Sequence, residues 1–196
     1  MNSKSKGSRS ELRICKILNE KFETEEFQRT PGSGSFGTRG MGKFSKEAQA
    51  QLSGDAICPS NWLFSLENKA GYDLDPLKLF YAQTSEKSKE SGDLKTFREF
   101  CEQSSSDALK VAGRVPCVIY TKNRCETVLM VPIENHIRAA EILNLLQKNT
   151  LTSLCFTIDN KHEQWQRWAM FNFIDFLNAF DRSFFFEGKE EENQQV

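Results

Sequence analysis

The chain reads as one α/β domain with its elements in α-β-β-α-β-β order. Three observations predict this. A helical apolar stripe runs from Glu11 to Phe22, a strand-like alternation covers 62–69, and two further strand-like runs cover 115–121 and 126–131. A helical pattern over 96–112 separates the two strand pairs, so helices and strands interleave. With 196 residues the chain is long enough to bury a real core.

Residues 2–10 are polar and basic, and Ser8 and Ser10 are candidate caps for the helix that follows. Within that helix Glu11, Cys15, Leu18 and Phe22 fall at i, i+4, i+7 and i+11, which is one stripe. Glu11 therefore lies in line with the apolar face, either at the rim of a core or aimed into a site. The carboxylates of Asp55 and Glu67 favour the site. Residues 30–46 contain five glycines and read as a loop. Its serines, Arg39, Lys43 and Lys46, with Arg29 just before them, suit the phosphate backbone of a nucleic acid. A plain linker is the alternative. No Gly-Lys-Ser/Thr closes the loop, which excludes a Walker site.

A hairpin is expected next: strand 55–58, a turn at Pro59-Ser60-Asn61, then strand 62–69. That turn sets Asp55 roughly opposite Glu67. Period 2 puts Leu63, Ser65, Glu67 and Lys69 on one face, and Trp62, Phe64 and Leu66 on the other, against helices. Residues 71–95 are mostly polar around an apolar island at 77–81 and read as an insertion or flap, partly helical. The second hairpin turns at Lys122-Asn123-Arg124. A helix over about 135–148 carries Ile137, Ile142, Leu145 and Leu146 at helical spacing. Residues 154–158 form a possible strand, and 168–173 a strand leading into a short helix through Phe180. Trp165, Trp168, Phe171, Phe173, Phe176 and Phe180 read as core or dimer interface rather than a stacking platform. The domain is expected to span 1–187, with 188–196 an acidic flexible tail.

The formal charge is -1, so the whole molecule is no polycation. Residues 1–46, however, hold ten Lys or Arg against five Glu, and the tail is acidic. That asymmetry fits one face for an anionic ligand. The six cysteines are scattered without a C-x-x-C pair, which points to a reducing cytoplasm and away from structural zinc. The Ser/Lys-rich N-terminus lacks the apolar stretch of a signal peptide, and no run reaches membrane-spanning length. His136 and His162 lack the neighbours that a zinc protease, a ββα-metal nuclease or a catalytic triad requires, and read as surface or structural.

The chemistry concentrates in Gly54-Asp55 and Glu67-Asn68-Lys69. Phosphodiester hydrolysis needs a deprotonated water, a neutralised phosphoryl oxygen and a stabilised leaving oxygen. Mg²⁺ takes oxygen ligands and keeps several waters, so one or two carboxylates hold it. Asp55 and Glu67 supply these, and the backbone carbonyl of Asn68 is a third candidate oxygen. Lys69 is placed to orient or activate water, or to neutralise phosphate charge. Glu11 is a candidate partner for a second metal or for a water.

Lys6-Gly7-Ser8-Arg9-Ser10-Glu11, Arg29 with Ser33-Gly34-Ser35, Gly54-Asp55, Glu67-Asn68-Lys69 and Gln103 together resemble the PD-(D/E)XK nuclease superfamily. The resemblance is closest to its Holliday junction resolvase-like branch of archaea and phages. It covers roughly residues 4–131. It implies a restriction-endonuclease-like fold, a mixed central sheet flanked by helices, and a metal-dependent endonuclease that often acts as a homodimer on branched DNA. It assigns Asp55 and Glu67 as ligands of Mg²⁺, with Mn²⁺ able to substitute, Lys69 as the catalytic lysine and Glu11 as the helical acidic partner. The DNA-binding set expected is Lys6, Arg9, Arg29, Ser33, Ser35, Arg39, Lys43 and Gln103. Asn68 stands where the family usually has an apolar residue or cysteine, and 71–95 is longer than a compact resolvase needs. The expected place of action is the cytoplasm of a bacterial or archaeal host cell, the gene being either the host's or a virus's. A restriction-, flap- or repair-type nuclease of the same fold, a non-catalytic nucleic-acid-binding protein, and an unrelated small-molecule enzyme are the competing readings.

Overall fold

The structure is a computed structural model. It describes residues 3–31, 54–78, 92–110, 114–148, 150–158 and 165–188, with side chains from residue 7 onward. Helix α1 spans Ser3–Phe22, strand β1 Gln28–Arg29, β2 Ala56–Ile57 and β3 Phe64–Ala70. Helix α2 spans Gly92–Leu109, followed by β4 Val115–Thr121, β5 Thr127–Pro132 and α3 Ala139–Gln147. Strands β6 Ser153–Thr157 and β7 Arg167–Asn172 precede the short helices α4 Phe173–Ala179 and α5 Arg182–Phe185.

Five strands form one mixed sheet in the order β3-β4-β5-β7-β6. β3 and β4 are parallel, with Glu67 beside Val118 and Lys69 beside Tyr120. A parallel pair needs a long crossover, and α2 is that crossover. β4 turns into β5 as the expected antiparallel hairpin, with Val118 beside Met130. The fold is mixed α/β with helices on both faces, consistent with a restriction-endonuclease-like architecture. Period-2 alternation sorts the core. Phe64, Leu66, Cys117, Ile119, Leu129, Val131, Ala169 and Phe171 face α1, α3 and α4. Val118, Tyr120, Met130, Trp168 and Met170 face α2, where Phe97, Phe100 and Cys101 meet them. The helical stripe on α1 is buried as expected: Glu11, Cys15, Leu18 and Phe22 are all inaccessible.

Several local expectations are corrected. α1 begins at Ser3, so Ser8 and Ser10 lie inside it and cap nothing. The hairpin of 55–58 with 62–69 does not form: β2 pairs instead with β1, Arg29 beside Ala56. The reason lies at the chain's far end. Leu63 N–H donates to Phe185 O at 2.9 Å, Glu187 N–H donates to Asn61 O at 2.8 Å, and Trp62 bridges Phe186. The 184–187 segment thus occupies the backbone edge that 58–59 would have used, and Pro59 has no N–H to compete with. Phe184, Phe185 and Phe186 are all buried, a core contribution the sequence reading omitted.

Residues 92–95 belong to α2 rather than to the polar insertion. Asp93 in its first turn favours the positive end of the helix and pairs with Lys78 at 2.8 Å. The Tyr120 hydroxyl receives the Leu74 N–H and donates to Tyr72 O, both at 3.1 Å, tying 72–74 to β4. The rest of that insertion, 79–91, lies outside the described residues. Helix α3 starts only at Ala139, because the His136 ring organises a turn before it. His136 Nε2 donates to Pro132 O at 2.7 Å, and Nδ1 accepts Arg138 N–H at 3.2 Å. Ile137 is consequently exposed while Ile142 is buried. His136 is structural; His162 lies outside the described residues.

Candidate active site

The site is built on the open edge of β3. Gly54 adopts φ +89°, and a Cβ there would sit 2.6 Å from Leu66 O, so only glycine lets the chain pass this close to the strand. Asp55 N–H then donates to Leu66 O at 2.9 Å. From the other side Thr30 clamps the turn: its N–H donates to Asp55 O and its hydroxyl to Gly54 O, each at 3.1 Å. So held, Asp55 turns its carboxylate back onto the strand and accepts Asn68 N–H on Oδ2 at 2.9 Å. The N–H and C=O of one strand residue leave on the same edge, so the Asn68 carbonyl emerges beside Asp55.

Glu67 and Lys69 project toward α2. Lys69 Nζ lies 2.5 Å from Glu67 Oε1 and donates to Gln103 Oε1 at 2.8 Å. It also stands 5.3 Å from the centre of the Phe100 ring, a cation–π distance. Glu11, on α1, is ion-paired with the Arg29 guanidinium. The residue before it, Ser10, donates its hydroxyl to Asn68 Oδ1 at 3.0 Å. Two helices and one strand edge thus converge on 67–69.

The electrostatics show that Asp55 and Glu67 share one neighbourhood. Burial pushes Glu67 up to about 8, with the Asp55 charge raising it further and Lys69 opposing. Burial also pushes Asp55 up to about 6, partly offset by the Asn68 N–H, while Glu11 and Asp107 raise it. Among the described residues Lys69 is the cation that lowers both carboxyls, and it does not offset their burial.

The family described as "Phage putative PDDEXK endonuclease" matches residues 2–187. The chain belongs to this family. No curated protein and no solved structure matches it. Its function is accordingly that of a hydrolytic nuclease acting on DNA. Nucleases of this superfamily generally use divalent metals. The residues present in this endonuclease fit such an ion. Asp55, Glu67 and the Asn68 carbonyl are all oxygen donors, the set a hard cation prefers. Among the described residues no three His, Cys, Asp or Glu side chains converge to hold a metal by themselves.

Of the residues singled out in the sequence of the endonuclease, Glu11, Asp55, Glu67, Asn68, Lys69 and Gln103 gather here. Arg29 gathers too, but as the partner of Glu11. Gln103 serves Lys69. Arg9 is exposed on α1. Ser33, Ser35, Arg39 and Lys43, and the side chain of Lys6, lie outside the described residues. Sequence reasoning gave Ser10 only as a candidate cap and as part of the resembling stretch, and it passed over Thr30 and Asp107 as site residues. Asp107 stands one turn beyond Gln103 on α2, and that i, i+4 spacing was its only available signal. Thr30 and Ser10 carried none, because their roles arise from contacts across 24 and 58 positions of chain.

Proposed function

We propose that this nuclease is a Mg²⁺-dependent endonuclease that resolves branched DNA, with Mn²⁺ able to replace Mg²⁺. Asp55, Glu67 and the Asn68 carbonyl hold the ion, Lys69 is the catalytic lysine, and Glu11 is the helical acidic partner. The observation that carries this reading is the bond from Asn68 N–H to Asp55 Oδ2. It draws a carboxylate from outside the sheet onto the strand that bears Glu67 and Lys69.

The bound ion supplies Lewis-acid polarisation of the phosphoryl oxygen and lowers the pKa of water. The chain's own groups do the rest. Lys69, fixed by Glu67, Gln103 and Phe100, presents its ammonium at one position, where it orients the attacking water or neutralises charge on the phosphate. Glu67 is buried and Asp55 half-buried, which strengthens each electrostatic contact. Glu11, paired with Arg29, adds negative charge that Asp55 senses.

The junction preference and the homodimer rest on the resemblance of 6–11, 54–55 and 67–69 to junction resolvases. The role of Arg39, Lys43 and the loop serines in gripping DNA rests on the basic, glycine-rich composition of 30–46, and the host-cell cytoplasm on the scattered cysteines. The test is incubation with a mobile four-way junction and with linear duplex, each with Mg²⁺ and with EDTA, mapping every cut. Symmetric paired nicks that need Mg²⁺ are expected. Scattered or single nicks on any duplex would replace the resolvase reading with a restriction- or repair-type nuclease. Binding without cleavage would leave only a DNA-binding protein.

A further inference from the structure

We infer that Asn68, through its side chain, and Ser10 are a positioning pair that sets the helical carboxylate Glu11 relative to Asp55; this rests on the nuclease reading of the site. Asn68 works in two directions. Its backbone N–H holds Asp55 Oδ2 at 2.9 Å, while its side-chain Oδ1 receives the Ser10 hydroxyl at 3.0 Å. Ser10 immediately precedes Glu11 on α1, so a bond that fixes Ser10 against β3 also fixes where Glu11 stands relative to the strand. One strand residue therefore connects both acidic groups, although they come from segments 44 positions apart in the chain.

The chemistry of the contact argues against simple packing. α1 and β3 share one apolar cluster, which includes Ile14, Cys15 and Leu18 of the helix and Phe64 and Leu66 of the strand. A polar pair at its margin adds desolvation cost that two apolar residues would avoid. The Asn68 amide Nδ2 is moreover buried without a hydrogen-bond partner, a further cost that alanine or cysteine would not carry. What a directional bond supplies and apolar contact does not is one fixed rotation and register. A helix free to slip or roll slightly keeps its core but moves Glu11. The serine hydroxyl donates or accepts, so the pair closes in either amide orientation.

The test compares wild type with Ser10→Ala, Asn68→Ala, the double variant and Ser10→Thr. Two quantities are read on each: single-turnover cleavage at saturating DNA and Mg²⁺, and Mn²⁺ affinity by calorimetry without DNA. Each alanine variant is expected to cleave about 10- to 100-fold more slowly with KM for DNA unchanged. The double variant should be no slower than the worse single, because both remove one contact. Mn²⁺ affinity should fall in the same non-additive way, and Ser10→Thr should restore both. Single variants as fast as wild type, or single losses that multiply, would overturn the inference. If wild type cuts no DNA with either metal, the nuclease reading fails, and the Mn²⁺ cycle still decides whether the pair is coupled to the carboxylates. Additive or absent Mn²⁺ effects would then overturn the inference on their own.

Discussion

Lys69 Nζ donates to Gln103 Oε1 at 2.8 Å, joining the edge strand β3 to the crossover helix α2. The bond ties the Gln103 amide to Lys69, the lysine proposed as catalytic. Gln103→Ala should lower cleavage by about 10-fold through lost positioning, and Lys69→Ala by about 100-fold or more through lost chemistry. Single-turnover rates on one substrate check both. Equal losses would mean that Gln103 itself touches DNA.

Asp55→Asn keeps an oxygen for the Asn68 N–H, and Glu67→Gln keeps one for Lys69, so both variants should fold. Cleavage should drop to background in each. DNA binding in EDTA should hold or tighten, because negative charge leaves a site built for phosphate. Filter binding and plasmid cleavage, run side by side, separate the two effects. Wild-type cutting by either variant would remove its residue from the ligand set.

The raised carboxyl pKa values carry a signed prediction for metal-free protein. Below about pH 4 both folded and unfolded chains hold these protons, and stability from this source is complete. As pH rises, the unfolded chain releases them freely while the folded Asp55 and Glu67 hold on to about 6 and about 8. Stability is therefore lost progressively across that window. Thermal melting in EDTA should show a Tm falling from pH 5 to pH 8, with a flatter slope in the Asp55→Asn, Glu67→Gln double variant. Mg²⁺ should raise the wild-type Tm more at pH 8 than at pH 6, when more carboxyls are free to bind it.

Gly54→Ala combines an unfavourable positive φ with a methyl group aimed at Leu66 O. The expected cost is about 1–3 kcal/mol of stability, together with a loss of cleavage as Asp55 is pushed off the strand. Urea denaturation and activity measured on the same preparation test this. A stable, active variant would show that the close approach is dispensable.

Arg9 is exposed on the helix that carries Glu11, and Arg39 and Lys43 belong to the glycine-serine loop. If each meets one phosphate, each alanine variant should weaken DNA binding and reduce the slope of log K against log salt by about 0.9. An unchanged slope for Arg39→Ala and Lys43→Ala would demote the loop to a linker.

The site's composition was legible in the chain because its parts are local. Glu67 and Lys69 share a face through the period of a strand, and Glu11 shares the stripe of a helix through 3.6-residue spacing. The β4–β5 hairpin was legible for the same reason: two apolar runs flank a polar turn. The pairing of 55–58 was not, because local pattern cannot reveal that 184–187, over a hundred residues away, takes the competing backbone edge. Nor could spacing reveal that Arg29 would pair with Glu11.

By itself, then, the sequence determined which residues carry charge, which faces are apolar and where the chain must turn, since these follow from side-chain chemistry and short-range periodicity. Tertiary structure alone decided which edges pair, which cation meets which carboxylate, and that Thr30, Ser10 and Asp107 join the site. Those outcomes depend on competition among distant segments for the same backbone and side-chain groups, and the winner is chosen only when the core closes.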